Sequence, residues 1–186
     1  MIQSKNLYFS NIEKEDMKYI YQWFSDTEFL KYYDYIPPIP QSEEEVNSTF
    51  NDYKIKSESV VFAIRLLSDG KIIGIAGFDD IVKSNEVATI FIGIGNKNLR
   101  GKGYGNESLK ILLDYGFNDM GLYRIQLNVL EFNTSAIKLY ERAGFKKEGV
   151  YREFVLRNNI RYNMFLYGLL KNEYNDGIYG SNQINI

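Results

Sequence analysis

The sequence predicts a mixed α/β fold, a single sheet with helices on its faces, and three observations carry that prediction. Some segments repeat apolar residues at helical spacing, whereas others alternate them or run them together in short blocks bounded by turn residues. The two kinds of segment interleave along the chain, as layered sheet-and-helix domains require. The 186 residues, 45% hydrophobic and 25% charged, are enough for one core without a disulfide or metal.

Leu7 to Ile12 reads as a first strand. Glu15 to Ser25 reads as a helix, because Met17, Ile20, Tyr21 and Phe24 fall on one face. All three prolines lie in Tyr35 to Pro40, an extended loop between two helices. Ser42 opens the next helix, with Glu45 three residues on as its capping-box partner, and the helix runs to about Lys56. Val60 to Leu66 and Lys71 to Asp79 are strands joined at Ser68-Asp69-Gly70. Val87 to Gly95 is a nearly continuous apolar run, expected for a strand buried on both faces. After a Gly-rich turn, Tyr104 to Asn118 places Tyr104, Ser108, Ile111, Leu112 and Tyr115 on one helix face. Arg124 to Leu130 is a strand, and Thr134 to Arg142 a helix closed by Gly144. Two strands, Gly149 to Arg157 and Ile160 to Leu169, flank Asn158-Asn159. The expected order is β-α-α-β-β-β-α-β-α-β-β. With no repeat, low-complexity tract or linker, residues 1–186 are read as one domain, its polar tail fraying after about residue 175.

Composition excludes whole classes of chemistry. There is no cysteine, so disulfides, thiolate metal sites and acyl-cysteine intermediates are out. There is no histidine, which removes Ser-His-Asp hydrolysis and imidazole acid/base work. Direct transfer between two bound substrates fits these restrictions, and no metal is expected. No run reaches the roughly 18 to 20 apolar residues of a membrane helix, and the first residues lack a signal-peptide stretch, so a cytoplasmic protein without a membrane partner is expected. A net charge of −2 argues against nucleic-acid binding. Residues 1–60 hold eleven acidic side chains against six lysines. That asymmetry suits a cationic substrate in front and an anionic one behind, or reflects solvated helix faces.

The segment with chemical content starts at Ile90-Phe91-Ile92-Gly93-Ile94-Gly95 and continues to Arg100-Gly101-Lys102-Gly103-Tyr104-Gly105-Asn106. A strand feeds a glycine turn, and the turn feeds a helix N-terminus. Unpaired amides at a helix start favour anions, glycines allow close backbone approach, and Arg100 and Lys102 add positive charge. The physics indicates an anion site of the pyrophosphate kind, or else a Gly-rich surface turn. The spacing is neither a Walker A loop nor a dinucleotide fingerprint.

A second stretch, Asn133-Thr134-Ser135-Ala136-Ile137-Lys138-Leu139-Tyr140-Glu141-Arg142-Ala143-Gly144-Phe145, follows about thirty residues later. The first stretch resembles the Q/R-x-x-G-x-G/A motif of the GNAT acetyltransferase superfamily, and the second resembles its other signature: Asn at a helix start, Tyr two turns on, then Gly-Phe. The likeness spans roughly Leu7 to Tyr174 and looks nearest the ribosomal-protein N-terminal and polyamine (spermidine) acetyltransferases. It implies a mostly antiparallel sheet of about seven strands that splays, at a bulge, where the strand ending near Ile94 parts from Arg124 to Leu130. It also implies acetyl-CoA as cosubstrate and a small-molecule or peptide amine as acceptor.

By the same resemblance, the Gly101 to Asn106 amides would hold the pyrophosphate. The backbone of Ile92, Gly93 and Ile94 would pair with the pantetheine arm and polarise the thioester carbonyl. Asn133 would bond the pantetheine or place the amine, and Tyr140 would protonate the departing thiolate. Read from the residues alone, Tyr140 is also a plausible packed tyrosine, and Asn133 a good N-cap. Many relatives carry a Glu on the strand before the loop, a place that falls at Thr89 or Ile90 here. Glu86 is close in sequence, Glu131 precedes Asn133, and Glu107 suits its helix dipole. A water relay or an already neutral amine is the alternative. A CoA-binding sensor without turnover and an unrelated phosphate- or nucleotide-binding module are the competing functions. The last two strands could leave an edge free for a homodimer.

Overall fold

A computed structural model of the chain describes residues 2–176. Seven strands form one sheet in the order β1-β2-β3-β4-β5-β7-β6. They are β1 (Leu7–Ser10), β2 (Val60–Leu66), β3 (Ile72–Val82), β4 (Val87–Ile94), β5 (Arg124–Leu130), β6 (Lys146–Arg157) and β7 (Ile160–Leu170). Every neighbouring pair is antiparallel except β4 and β5. Helices α1 (Met17–Phe24), α2 (Thr27–Tyr33), α3 (Glu43–Ile55), α4 (Tyr104–Asp114), α5 (Thr134–Arg142) and α6 (Lys171–Asp176) complete the architecture.

Strand alternation divides the core in two. On one face, Ala63, Ile72 and Ile75 meet Ile20, Trp23 and Phe24 of α1, Phe29 and Leu30 of α2, and Val46 and Phe50 of α3. On the other, Ile64, Ile73, Ala76 and Phe78 meet Leu109, Leu112 and Leu113 of α4, with Tyr140 and Ala143 of α5.

Several local signals act as expected. Ser42 and Glu45 form the reciprocal capping box of α3. Gly144 follows α5 at φ +93°, a left-handed position suited to glycine. Asn158 and Asn159 take φ of 49° and 62°, the paired left-handed geometry that turns β6 tightly into β7.

Three differences stand out. The first helical stretch is two helices: Asp26 turns extended, accepts from the Glu28 amide, and caps the separate α2. The helix expected to end near Asn118 leaves α-geometry after Asp114 and finishes as a π-turn over Tyr115–Asp119. β4 is not buried on both faces, since Thr89, Phe91, Ile92 and Ile94 are only half-buried. The chain is helical over Lys171–Asp176, and the expected tail beyond it lies outside the described residues. β6 forms a sheet edge and leaves Val150, Tyr151, Phe154 and Leu156 exposed. No helix among the described residues is long and apolar enough to cross a membrane.

Candidate functional site

The sheet opens between β4 and β5. Their parallel pairing covers only Val87–Arg124, Ala88–Ile125 and Thr89–Gln126, after which the strands part. The expected splay is therefore present. Its expected bulge is not between these strands, since the nearby irregularity lies in β3–β4 pairing, between Asp79 and Val82.

Backbone parity decides which groups face the gap. Gly95 donates its N–H to the Ile73 carbonyl at 2.9 Å, with Ile94 opposite Gly74. In an antiparallel ladder this turns the N–H and C=O of Ile94 away from β3; by alternation Ile92 also points away, while Phe91 and Gly93 point toward it. Arg100 agrees, since its Nε reaches the Ile94 carbonyl at 2.9 Å from outside the ladder. Ile92, and the amide of Ile94, therefore face the splay with no pairing from β5. Gly93 contributes no backbone to the gap. A Cβ there would meet the Tyr33 ring at 2.8 Å, so glycine keeps the cavity wall clear.

A cavity of about 730 Å³ runs from this edge along the glycine turn to α5, within the usual size range of ligand clefts. Ile92, Gly93, Ile94, Arg100, Gly101, Gly103, Gly105, Asn106, Asn133 and Tyr140 all line it. Lys102 and Tyr104 do not: Lys102 is exposed on the turn, and Tyr104 packs against the core beneath α4. Gly101 and Gly103 sit at φ of +73° and +89°, which L-residues rarely adopt, and deliver the chain to the α4 N-terminus. α4 begins at this turn, and a helix N-terminus favours anions. Arg100 is half committed: it clips the turn to the Ile94 and Gly95 carbonyls and lies 3.8 Å from Glu28. Lys138 and Arg142, one α5 turn apart, add exposed cations to the rim.

Tyr140 is buried to 8% exposure and meets Phe145 edge-on at 5.7 Å. Its hydroxyl makes no hydrogen bond to any described residue, and burial pushes its pKa up to about 12. It therefore stays protonated at neutral pH, a phenol able to give a proton. Asn133 has its amide occupied. Its Oδ1 accepts from the Ala136 amide at 3.2 Å and the Ser135 hydroxyl at 3.1 Å, capping α5, and its Nδ2 donates to the Tyr32 carbonyl at 3.2 Å. Asn133 thus joins α5 to the end of α2.

A second, smaller cavity of about 120 Å³ lies deeper in the splay and shares Tyr32, Tyr33, Ile92, Asn133, Ala136 and Tyr140 with the first. Asp34, Tyr35, Asn128 and Met164 are among its other walls. The segment after α2 is pinned by the buried Arg157, whose Nη2 donates to the carbonyls of Asp34, Tyr35 and Ile36 at 3.2, 3.0 and 2.6 Å. Tyr33 stacks on Phe29 at 4.9 Å, and burial raises its pKa well above the ordinary value, with Tyr53 and Asp34 adding to the effect.

None of the carboxylates weighed from sequence reaches either cavity. Glu86 is exposed at the opposite end of β4. Glu131 accepts from the Asn163 backbone and side-chain amides at 2.8 and 3.0 Å. Glu107 binds Ser4 and Asn6, tying the N-terminal segment to α4. Burial alone would raise the Glu107 pKa, but those hydrogen bonds outweigh it and hold it below the ordinary value. Thr89 is in contact with Gln126 at 3.4 Å and carries no charge. Sequence reasoning missed the α2 contribution: Glu28, Phe29, Tyr32 and Tyr33. The signal was available in Asp26 as an N-cap followed by Phe29, Leu30 and Tyr33 at helical spacing.

Residues 6–146 match the family model described as an acetyltransferase (GNAT) domain. The chain is 31% identical over 174 residues to the uncharacterized N-acetyltransferase p20 of Bacillus licheniformis, covering 93% of this chain and 97% of that one. It is 27% identical over 153 residues to the spermidine N(1)-acetyltransferase of Escherichia coli K12, covering 81% and 78% of the two. Among solved structures, the spermidine N-acetyltransferase of Vibrio cholerae in complex with CoA and spermine superimposes with a TM-score of 0.83 at 24% identity, covering 90% of this chain and 97% of that one.

Proposed function

The chain belongs to the GNAT acetyltransferase family, and from that premise we propose that it passes the acetyl group of acetyl-CoA directly to a primary amine within a ternary complex. The observation that carries this reading is the junction of the two cavities at Tyr140 and along the unpaired β4 edge, with the glycine turn on one side only. That division gives donor and acceptor separate approaches to one point.

The residues fit the acyl donor. Ile92 and Ile94 offer backbone groups to an extended arm, as an added strand would use them. The Gly101 to Asn106 turn and the first turn of α4 suit a pyrophosphate, and Lys138 and Arg142 bring positive charge to its rim. An amide from the β4 edge would polarise the thioester carbonyl, and Tyr140 would protonate the departing thiolate. Asn133 acts in this scheme by fixing α5 against α2, which holds Tyr140 in place. Without cysteine, the chain cannot form an acyl-cysteine intermediate, which favours direct attack.

Relatives named as spermidine acetyltransferases support a small amine as acceptor. A CoA sensor without turnover is not favoured, because relatives over nearly the full length are N-acetyltransferases. The cysteine-free composition suits the cytoplasm, and the exposed β6 edge suits a homodimer; both belong to the same proposal. The test follows free thiol from acetyl-CoA against spermidine, n-butylamine, short peptides with free N-termini and amino sugars. Turnover with one amine class is expected. Acetyl-CoA binding without thiol release, across a wide acceptor screen, would overturn the enzymatic reading.

A further inference from the structure

Most alkyl amines arrive as ammonium ions and must lose a proton before they attack. With a pKa near that of lysine, only about one molecule in a thousand is neutral near pH 7.4. β4 supplies no carboxylate, having Thr89 and Ile90 where one would face the splay. Nor do Glu86, Glu107 or Glu131, for the reasons above. Asp79 is held by Tyr53 and Ser59, at 3.1 and 2.7 Å. Glu28 lies in the larger cavity, beside Arg100.

Asp34 remains, and it is the one acidic residue lining the smaller cavity. Its Oδ1 accepts from the amides of Tyr35 at 2.5 Å and Ile36 at 3.4 Å, which fixes the carboxylate on the turn after α2. Its Oδ2 has no hydrogen-bond partner among the described residues. Arg157 fixes the same turn from β6 through backbone carbonyls and leaves the carboxylate itself unbridged. Tyr140 lines the same cavity from α5.

We propose that Asp34 receives the acceptor's ammonium group in the small cavity and takes its proton, and that the acceptor is a primary amine on a slim, unbranched alkyl stem. This rests on the acetyl-transfer reading. At about 120 Å³ against about 730 Å³ for its neighbour, the cavity is narrow, which suits a slim chain better than a ring. Ile90, Phe91, Leu130 and Met164 give part of the wall to methylenes, while Asp34, Asn128, Asn133 and the tyrosine hydroxyls offer the polar surface that a charged head needs.

The protons balance. The ammonium gives one proton to the Asp34 carboxylate, which passes it to solvent. The neutral nitrogen then forms its bond to the thioester carbonyl carbon, and the C–S bond breaks. The sulfur takes a proton from the Tyr140 hydroxyl, which is restored by the second proton leaving the nitrogen. The products are an amide, CoA thiol and one released proton. The charged and titratable groups around Asp34 are Arg157 from β6, Tyr53 from α3, Tyr140 from α5, and its neighbours Tyr33 and Tyr35.

Asp34→Asn keeps an oxygen for the turn amides and removes the charge, so it separates chemistry from folding. With n-butylamine as probe, it should lower kcat/KM about a hundredfold at pH 7.5, within the span of general-base effects. The variant's rate should then climb about tenfold per pH unit to pH 9.5, as neutral amine accumulates, while the wild type climbs less. Acetyl-CoA affinity should be unchanged, and Asp34→Glu should recover part of the rate. Calorimetric titration of n-butylamine into each protein–CoA complex adds a reading independent of turnover: the wild type should bind and Asp34→Asn should not. Asp34→Asn activity within threefold of wild type at every pH, loss of CoA binding in that variant, wild-type preference for an amino sugar or peptide, or no wild-type amine binding would each overturn the proposal. If the wild type releases no thiol with any amine, the acetyl-transfer reading has failed on its own, and the titration still decides the role of Asp34.

Discussion

Replacing Ile92 with proline tests whether β4 behaves as an edge strand where it faces β5. In a central strand, proline removes a ladder hydrogen bond and is tolerated poorly. Here parity turns the Ile92 amide toward the gap and the Gly93 amide toward Ile75 of β3. Ile92→Pro therefore loses no β3–β4 bond and costs mainly side-chain contact and some φ strain, about 1 to 2 kcal/mol. Gly93→Pro loses the bond to β3 and drives its ring toward Tyr33, where even a Cβ would come within 2.8 Å, for about 3 kcal/mol or more. In a domain of this size, 1 kcal/mol moves the melting temperature by about 2 to 4 °C. Thermal melts should thus separate the two variants by several degrees, with Gly93→Pro the lower. The functional order should reverse that expectation of mildness. Ile92→Pro removes a donor at the splay, weakening acetyl-CoA binding by about 2- to 12-fold. If that amide polarises the thioester carbonyl, kcat falls by a further ~10²- to 10³-fold. Equal melting temperatures for the two variants, or an Ile92→Pro protein with native affinity and rate, would refute the parity argument.

Two other perturbations follow from the same geometry. Arg157→Met keeps the length of the side chain but abandons three carbonyls after α2. It should cost about 1 to 3 kcal/mol and raise hydrogen-exchange rates over residues 34–36, read by exchange mass spectrometry. Glu107 has its folded pKa held below the unfolded value of about 4.3 by Ser4 and Asn6, so its stabilising effect is complete above that value and is lost as pH falls through the lower folded one. Glu107→Gln should therefore melt below the wild type at pH 7, and the gap should begin to shrink as the pH of the melts falls below about 4.3.

The elements most legible in the sequence are those with local chemistry at both ends. Val60–Leu66 and Arg124–Leu130 are bounded by polar turns, while α3 announces itself by Ser42 and Glu45. α5 lies between Asn133 and Gly144, and its first and last residues match the sequence reading. α2 was hidden because its seven residues continue the apolar rhythm of α1, and only the extended backbone at Asp26 separates them. The half-exposure of β4 was hidden for a different reason. Its composition is that of a buried strand, and what exposes it is a neighbour that leaves after Thr89.

The candidate site divides in the same way. The glycine turn and Tyr140 carry a spacing that sequence retains, and both meet the large cavity. Lys102 stood out for its charge and Tyr104 for its place in the motif, yet one points to solvent and the other into the core. Asp34 could not be singled out among eleven early acidic residues, because its importance depends on a turn that Arg157 holds from more than a hundred positions away.

Tyr140→Phe with full kinetics and an independent binding measurement tests the central claim most directly. The phenol is buried and its hydroxyl makes no hydrogen bond to a described residue, so its loss leaves no described partner unsatisfied and should cost less than the ~1 kcal/mol of a typical hydrogen bond. Acetyl-CoA should bind as before. With the amine that the wild type accepts, kcat should fall by about 10²-fold or more, the range of a general acid. A Tyr140→Phe enzyme that binds acetyl-CoA and turns over at the wild-type rate would contradict the assignment of Tyr140 as the proton donor.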